Sequence, residues 1–294
     1  IMMKSILAII LLLAGAVASI STAYADVEQR VEYTTSLNSM ASVVMNWYGS
    51  LITTNKDAIF VAVDNRWTDY RSHYPENISQ IKITSSDLTK LEGSSQYQFK
   101  VASLISYSTA EGKQSQIINE IFVFDVSLLS LPVIKSLSLE KSEKVAAVES
   151  DKFTSSHYKA REFAYAWLAY LDGVELAPSL SSTSWIDTAD YTLKIGHKKI
   201  QGSVRSIREQ RKQYLTKGGH LLRSIDVEKK ESKSTLLLTV IAEWKGVNQS
   251  GKPVLAKIRQ EITVRVLEDK TWKVLAIDEQ HLIPDIAPWI GLLC

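Results

Sequence analysis

Between residues 258 and 266, IRQEITVRV, apolar and polar side chains alternate strictly. Ile258, Ile262, Val264 and Val266 share one face of an extended strand, and Arg259, Glu261, Thr263 and Arg265 share the other. A looser echo, IINEIFV, lies at 117–123. Around it, ISQIKIT, YQFKVASLISY and QIINEIFVFDV are rich in β-branched and aromatic residues and predict three strands, with AEGK at 110–113 as a turn. The second half predicts four more strands: LLRSIDVEK, STLLLTVIAEWKGV, LAKIRQEITVRVL and TWKVLAIDEQHLI.

Helical periodicity precedes each run of strands. From Val27 to Tyr48, Leu37, Met40, Val44, Trp47 and Tyr48 build one apolar stripe, with Gly49 close to its end. NRWTDYRSHYPEN predicts a shorter helix stopped by Pro75. In the second half, Tyr158–Leu171 sets Phe163, Trp167, Tyr170 and Leu171 on one side and stops at Asp172-Gly173. Ser203 is placed to cap VRSIREQRKQYL, with Gly218-Gly219 as its expected end.

The order helix, short helix, strands thus occurs twice. Trp47 maps onto Trp167 at an offset of 120, and Ile117, Glu120, Ile121 and Val123 map onto Ile258, Glu261, Ile262 and Val264 at an offset of 141. A meander with one apolar face must cover that face, and a preceding amphipathic helix does so. The expected fold is therefore α+β: two tandem cone-shaped domains, each a curved antiparallel sheet wrapped on an N-terminal helix. The expected boundaries are 26–134 and 157–284, with a polar connector at 135–156 and a tail at 285–294. The polar face of IRQEITVRV is expected to meet a like strand, so that the halves form an internal pseudo-dimer, each covering the other's sheet.

Residues 1–25 change the picture of location. Lys4, an apolar core from Ile6 to about Val17, and Ala23-Tyr24-Ala25 before Asp26 have the pattern of a signal peptide cut after Ala25. The expected destination is the periplasm or the medium, without stable membrane insertion after cleavage. Leaving out Lys4, 33 basic side chains face 32 acidic ones, a balance that gives no pull toward nucleic acid. Cys294 is the single cysteine, so no internal disulfide forms.

FAYAWLAYLDG, then YTLKIGHKKIQGSVRSIREQ, then the meander ending TWKVLAIDEQ resemble the nuclear transport factor 2-like superfamily, the cystatin-like α+β cone, over roughly 157–284. That resemblance implies a cone with an open end and, in the isomerases of the family, an acidic general base on the strand before the glycine turn. Lys194 or Ile195 stands at that place here, so the base does not transfer. Asp187 and Asp190, just upstream, are substitutes only in another register. Tyr165, Tyr170, Trp185, Tyr191 and Trp244 are the expected walls of a ligand pocket, and His281, with Asp278, Glu279 and His220, is expected near its mouth.

Histidines at 73, 157 and 197 lack metal-ligand spacing, and neither a nucleophile elbow nor a phosphate or dinucleotide loop occurs, so no metal and no cofactor are expected. From Lys194 to Arg223 nine basic residues accompany one acid, and Arg205, Arg208 and Arg211 or Lys212 form a stripe expected to be a solvated helix face, with an acidic partner, an anionic lipid surface or an anionic ligand as the alternatives. The functional expectation is a non-enzymatic binding or assembly protein of the bacterial envelope, with a small amphiphilic ligand or an envelope protein as partner. The rival is an isomerase or cyclase using the second-half pocket.

Overall fold

The computed structural model describes residue 34 and residues 36–286, apart from 53–69, 128–129, 149–154, 175–188, 196, 231–233, 249 and 269–271. The leader, Trp185, Asp187 and Cys294 lie outside the described residues. The first half consists of helix α1 (36–52), a 3-10 turn at Tyr70–His73, and strands β1 (Ile78–Lys90), β2 (Gln96–Thr109), β3 (Gly112–Ser127) and β4 (Ser130–Val145). The second half begins with helix α2 (Ser155–Leu171) and hairpin β5 (Asp190–Ile195) and β6 (Lys198–Ser203). Helix α3 (Val204–Tyr214) leads into β7 (Leu215–Lys229), β8 (Thr235–Asn248), β9 (Pro253–Val266) and β10 (Trp272–Ile286).

The architecture is α+β with two sheet bodies. One sheet is a four-stranded antiparallel meander, β1-β2-β3-β4; the other has six strands in the order β6-β5-β10-β9-β8-β7. All strand pairs are antiparallel except β5 with β10, which is parallel. Period-2 burial explains why these residues are strands: β2 buries Tyr97, Phe99, Val101, Ser103, Ile105 and Tyr107 in alternation, and β9 buries Ala256, Ile258, Gln260, Ile262 and Val264. Each buried face packs on a helix: α1 contributes Met40, Val44, Trp47 and Tyr48 to the first core, and α2 contributes Phe163, Trp167, Leu168 and Tyr170 to the second.

Several local expectations change. Residues 135–145, polar enough to suggest a connector, form most of β4, an edge strand in which Lys135, Ser136, Ser138, Lys141, Ser142 and Lys144 are exposed. Helix α1 runs through Gly49 to residue 52, and a Cβ there would meet Tyr158 Cβ of α2 at 3.2 Å. Gly218 and Gly219 lie inside β7 rather than ending the preceding helix. A Cβ on Gly218 would fall 1.8 Å from Trp244 Cζ2, so the indole occupies the space a side chain would take. The offset of 141 sets Glu120, which is buried, against Glu261, which is on the solvent side of β9. Matching buried faces gives an offset of 140 and makes Gln260 the counterpart of Glu120.

The halves meet helix on helix, rather than sheet on sheet as expected. Ser42 Oγ donates to the Glu162 carbonyl at 3.1 Å, Asn46 Nδ2 donates to Glu162 Oε1 at 2.6 Å, and Asn38 Nδ2 donates to the His220 carbonyl on β7. Position rises along α1 as it falls along α2, so the helices are antiparallel. Small residues on both sides, Ser42 and Gly49 facing an α2 rich in alanine, allow the close approach. Tyr158 of α2 enters the first core and donates to the Ile81 carbonyl at 2.6 Å. On the polar face of β9, Arg259 and Glu261 pair with each other at 2.6 Å in solvent.

Candidate functional site

Helix α2 ends in a Schellman arrangement. Val174 N donates to the Ala169 carbonyl at 3.0 Å, Gly173 N donates to the Tyr170 carbonyl at 3.1 Å, and Gly173 sits at φ 105°, where a side chain would be strained. This fixes Asp172 as the last half-helical residue, with its carboxylate turned onto β7. There Asp172 Oδ2 accepts from the backbone N–H of His220 at 2.8 Å, and Oδ1 lies 2.5 Å from His220 Nδ1. One carboxylate therefore holds both the backbone and the ring of the same histidine. The pair is sealed, with side-chain exposures of 3% for His220 and 1% for Asp172.

With Nδ1–H donated to the carboxylate, the lone pair of His220 falls on Nε2. Nε2 is buried and has no hydrogen-bond partner among the described residues. This arrangement, an imidazole oriented by an acid with its second nitrogen uncommitted, is what a general base requires. His220 also pairs across the sheet with Trp244, whose ring lies against Gly218.

A second buried acid, Glu279 on β10, is 1% exposed. It accepts from the Tyr191 hydroxyl, from Gln260 Nε2 at 2.7 Å, and faces His281 Nε2 at 3.0 Å. Gln260 in turn accepts from Trp167 Nε1 at 2.8 Å, so the chain runs from helix α2 through β9 to β10. A third acid, Glu120 on β3, also 1% exposed, occupies the first core. It accepts from Tyr48 at 2.6 Å, from Tyr70 at 3.1 Å and from Tyr74, while Trp47 Nε1 donates to the Tyr74 hydroxyl at 2.9 Å. Burial pushes the Glu120 carboxyl above its usual range, partly offset by the tyrosine hydrogen bonds, and burial also raises all three tyrosines.

The residues singled out from sequence separate into different places. Tyr170 and Tyr191 join the second core, both against Trp167, with ring centroids 6.0 and 6.2 Å from it. Trp244 forms a small separate cluster with Ala256 and Ile258. Tyr165 packs against the first core, across the helix contact, rather than with the other aromatics of the second half. Trp185 lies outside the described residues, as does Asp187. His281 and Glu279 do meet, whereas Asp278 and Asp190 are exposed, and His220 partners Asp172 instead. Lys194 is exposed, and the buried positions of β5 are Tyr191 and Leu193.

The basic helix is not solvated throughout: Arg205 is exposed, but Arg208 is only 9% exposed and its guanidinium lies 3.9 Å over the Tyr170 ring. Sequence reasoning missed Asp172, which reads as a helix stop, and Glu120, which reads as one of an alternating pair. Among the described residues no three His, Cys, Asp or Glu side chains are grouped to hold a metal, and no helix is long and apolar enough to cross a membrane.

No family profile and no curated protein matches the chain. Solved structures with partial likeness include LinA, 15% identical over 42% of this chain and 85% of that one, TM-score 0.34. A candidate aromatic ring hydroxylase from Novosphingobium aromaticivorans is 18% identical over 45% of this chain and 92% of that one, TM-score 0.33. The hexachlorocyclohexane dehydrochlorinase LinA-type3 from Novosphingobium barchaimii LL02 is 13% identical over 35% and 73%, TM-score 0.30. Each likeness spans less than half of this chain and says nothing about its chemistry.

Proposed function

We propose that the second half is a proton-transfer site on a nuclear transport factor 2-like cone, with His220 as base and Asp172 as the residue that orients it. The observation that carries this reading is the 2.5 Å contact between His220 Nδ1 and Asp172 Oδ1, together with the uncommitted Nε2. Loss of a proton from carbon leaves negative charge on the substrate and positive charge on the imidazole, and Asp172 stabilises the latter where water does not reach. The reaction class is abstraction of a proton from a carbon beside a carbonyl or beside a carbon bearing a leaving group, as in an isomerase or cyclase. Glu279 is less suited to the role, because Tyr191, Gln260 and His281 already surround its oxygens.

The test is deuterium uptake in D2O by a panel of ketones and halogenated hydrocarbons. The wild-type protein is expected to exchange or eliminate at least one compound, and His220→Asn to slow it by about 10²-fold or more, with Asp172→Asn between them. Equal rates with wild type and His220→Asn, or no turnover of any compound, would contradict the reading.

A second reading, a non-enzymatic binding or assembly protein of the envelope, draws support from how fully the Glu120 network is satisfied by three tyrosine hydroxyls, since closed networks of this kind specify a core. It carries with it export past the inner membrane and cleavage after Ala25. Native mass spectrometry of the protein from cells tests both parts: the reading requires a chain starting at Asp26 with a retained ligand or partner, and is contradicted by a bare chain retaining its leader.

A further inference from the structure

Arg208 sits oddly for a residue in a basic stripe. It is more than nine-tenths buried, its guanidinium stacks on Tyr170, and its Nε–H has no acceptor among the described residues. The helix around it explains the burial: Ser203 Oγ accepts from Ser206 N at 3.2 Å and starts α3, whose Val204 and Ile207 anchor in the second core and turn the next residue inward. A ring face offsets part of the cost of taking a guanidinium out of water, but a planar fork with a buried, unaccepted N–H remains expensive until an anion meets it.

We infer that Arg208 is the recognition site for a carboxylate on a ligand of the second half, held side-on by Nε–H and a neighbouring Nη–H. This rests on the proton-transfer reading for its place in a reaction, because the ring Arg208 covers, Tyr170, is two residues before Asp172. The single guanidinium balances one negative charge, so a monocarboxylate suits it better than a phosphate dianion, which would bring surplus charge into an apolar wall. The Tyr170 ring under the guanidinium and the neighbouring Val204 and Ile207 make the surroundings of the bound carboxylate apolar, so the part of the ligand that follows it is apolar. The substrate class is thus an apolar, carbon-rich monocarboxylate.

The experiment compares benzoate with its neutral isostere benzamide on the full chain, by isothermal calorimetry or tryptophan fluorescence. Benzoate is expected to bind wild type in the millimolar range or better, with Arg208→Met weakening it at least about tenfold and Arg208→Lys recovering only part of that loss. Benzamide affinity should be the same in all three. Arg208→Met is also expected to unfold at a higher urea concentration than wild type without benzoate, because it removes a buried charge, whereas an arginine with a purely structural role would leave a less stable protein. Benzoate binding unchanged by Arg208→Met, absent from wild type, or lost equally with benzamide overturns the inference. His220→Asn should keep benzoate binding, so a wild type that binds benzoate but turns over no compound counts against the base alone, and a wild type that turns a compound over while Arg208→Met binds benzoate unchanged counts against the anion site alone.

Discussion

The two halves solve one packing problem with their acids on different strands. Each buries a glutamate beneath a helix that carries a tryptophan at a matching place, Trp47 or Trp167. In the first half the acid is on the third strand of the meander, Glu120, and every donor to it is a tyrosine. In the second half the same inward position holds the neutral Gln260, and the acid has moved one strand over to Glu279, where an imidazole, an amide and one tyrosine surround it. The first network is a closed cage around a carboxyl whose protonated form burial favours. The second half adds something the first lacks among the described residues: a histidine oriented by an aspartate, with a ring nitrogen left over. Two sheet bodies built on the same helix-covered plan thus bury different polar groups: a carboxyl caged by tyrosines in one, and a carboxylate–imidazole pair in the other.

The comparison breaks most visibly at Glu120. Glu120→Leu strips the acceptor from two buried and one half-buried tyrosine hydroxyl and should lower unfolding free energy by about 3 to 5 kcal/mol in urea melts, while Glu120→Gln, which keeps an acceptor oxygen, should cost less than about 1.5 kcal/mol. Equal losses would mean that the cage does not need its acceptor.

Next in size, Gln260→Glu transplants the first half's acid into the second. Its new carboxylate would stand where Gln260 Nε2 lies 2.7 Å from Glu279 Oε2, and two carboxylates so close cannot both ionise. The native state would then hold a proton that the unfolded chain releases, so stability falls as pH rises. We expect a loss of about 2 kcal/mol at pH 7 that shrinks toward pH 4. A pH-independent loss would show that the pair is open to water.

How far these differences are legible in the sequence depends on the reach of each signal. Alternation in IRQEITVRV and the helix stop at Asp172-Gly173 are local, and both elements form as the pattern dictates. The roles of Glu120, Asp172 and Arg208 are not local. Asp172 meets its histidine 48 residues away, and its cap position gives a sufficient reason for an aspartate there. Glu120 and Glu261 align by letter at an offset of 141, but strand side chains alternate faces, so one residue of slip exchanges a buried acid for a solvated one. Arg208 follows the spacing of a solvated stripe, yet the anchoring of Val204 and Ile207 turns it inward. The connector at 135–145 reads as a linker because an edge strand carries the polar residues that discourage further pairing.

A smaller effect sharpens the boundary between the halves. Glu162 accepts from Asn46 across the helix contact, and burial pushes its carboxyl up from 4.5 to about 7, with Asn46 and Lys159 pulling the other way. The folded protein keeps that proton in a window where the unfolded chain has lost it, so this stability is present below pH 4.5 and is lost as pH rises toward 7. Glu162→Gln keeps an acceptor for Asn46 and should flatten that slope, gaining about 1 to 2 kcal/mol at pH 8 and nothing at pH 4. A parallel shift at both pH values would place the carboxyl outside the contact.

The most direct test of the oriented base is the nitrogen spectrum of the His220 ring, assigned by its loss in His220→Asn. An imidazole oriented by Asp172 carries its proton on Nδ1 and its lone pair on Nε2, and changes to a mixed or Nε2–H tautomer in Asp172→Asn. A ring that is already Nε2–H in the wild type, or one indifferent to Asp172→Asn, would contradict that orientation.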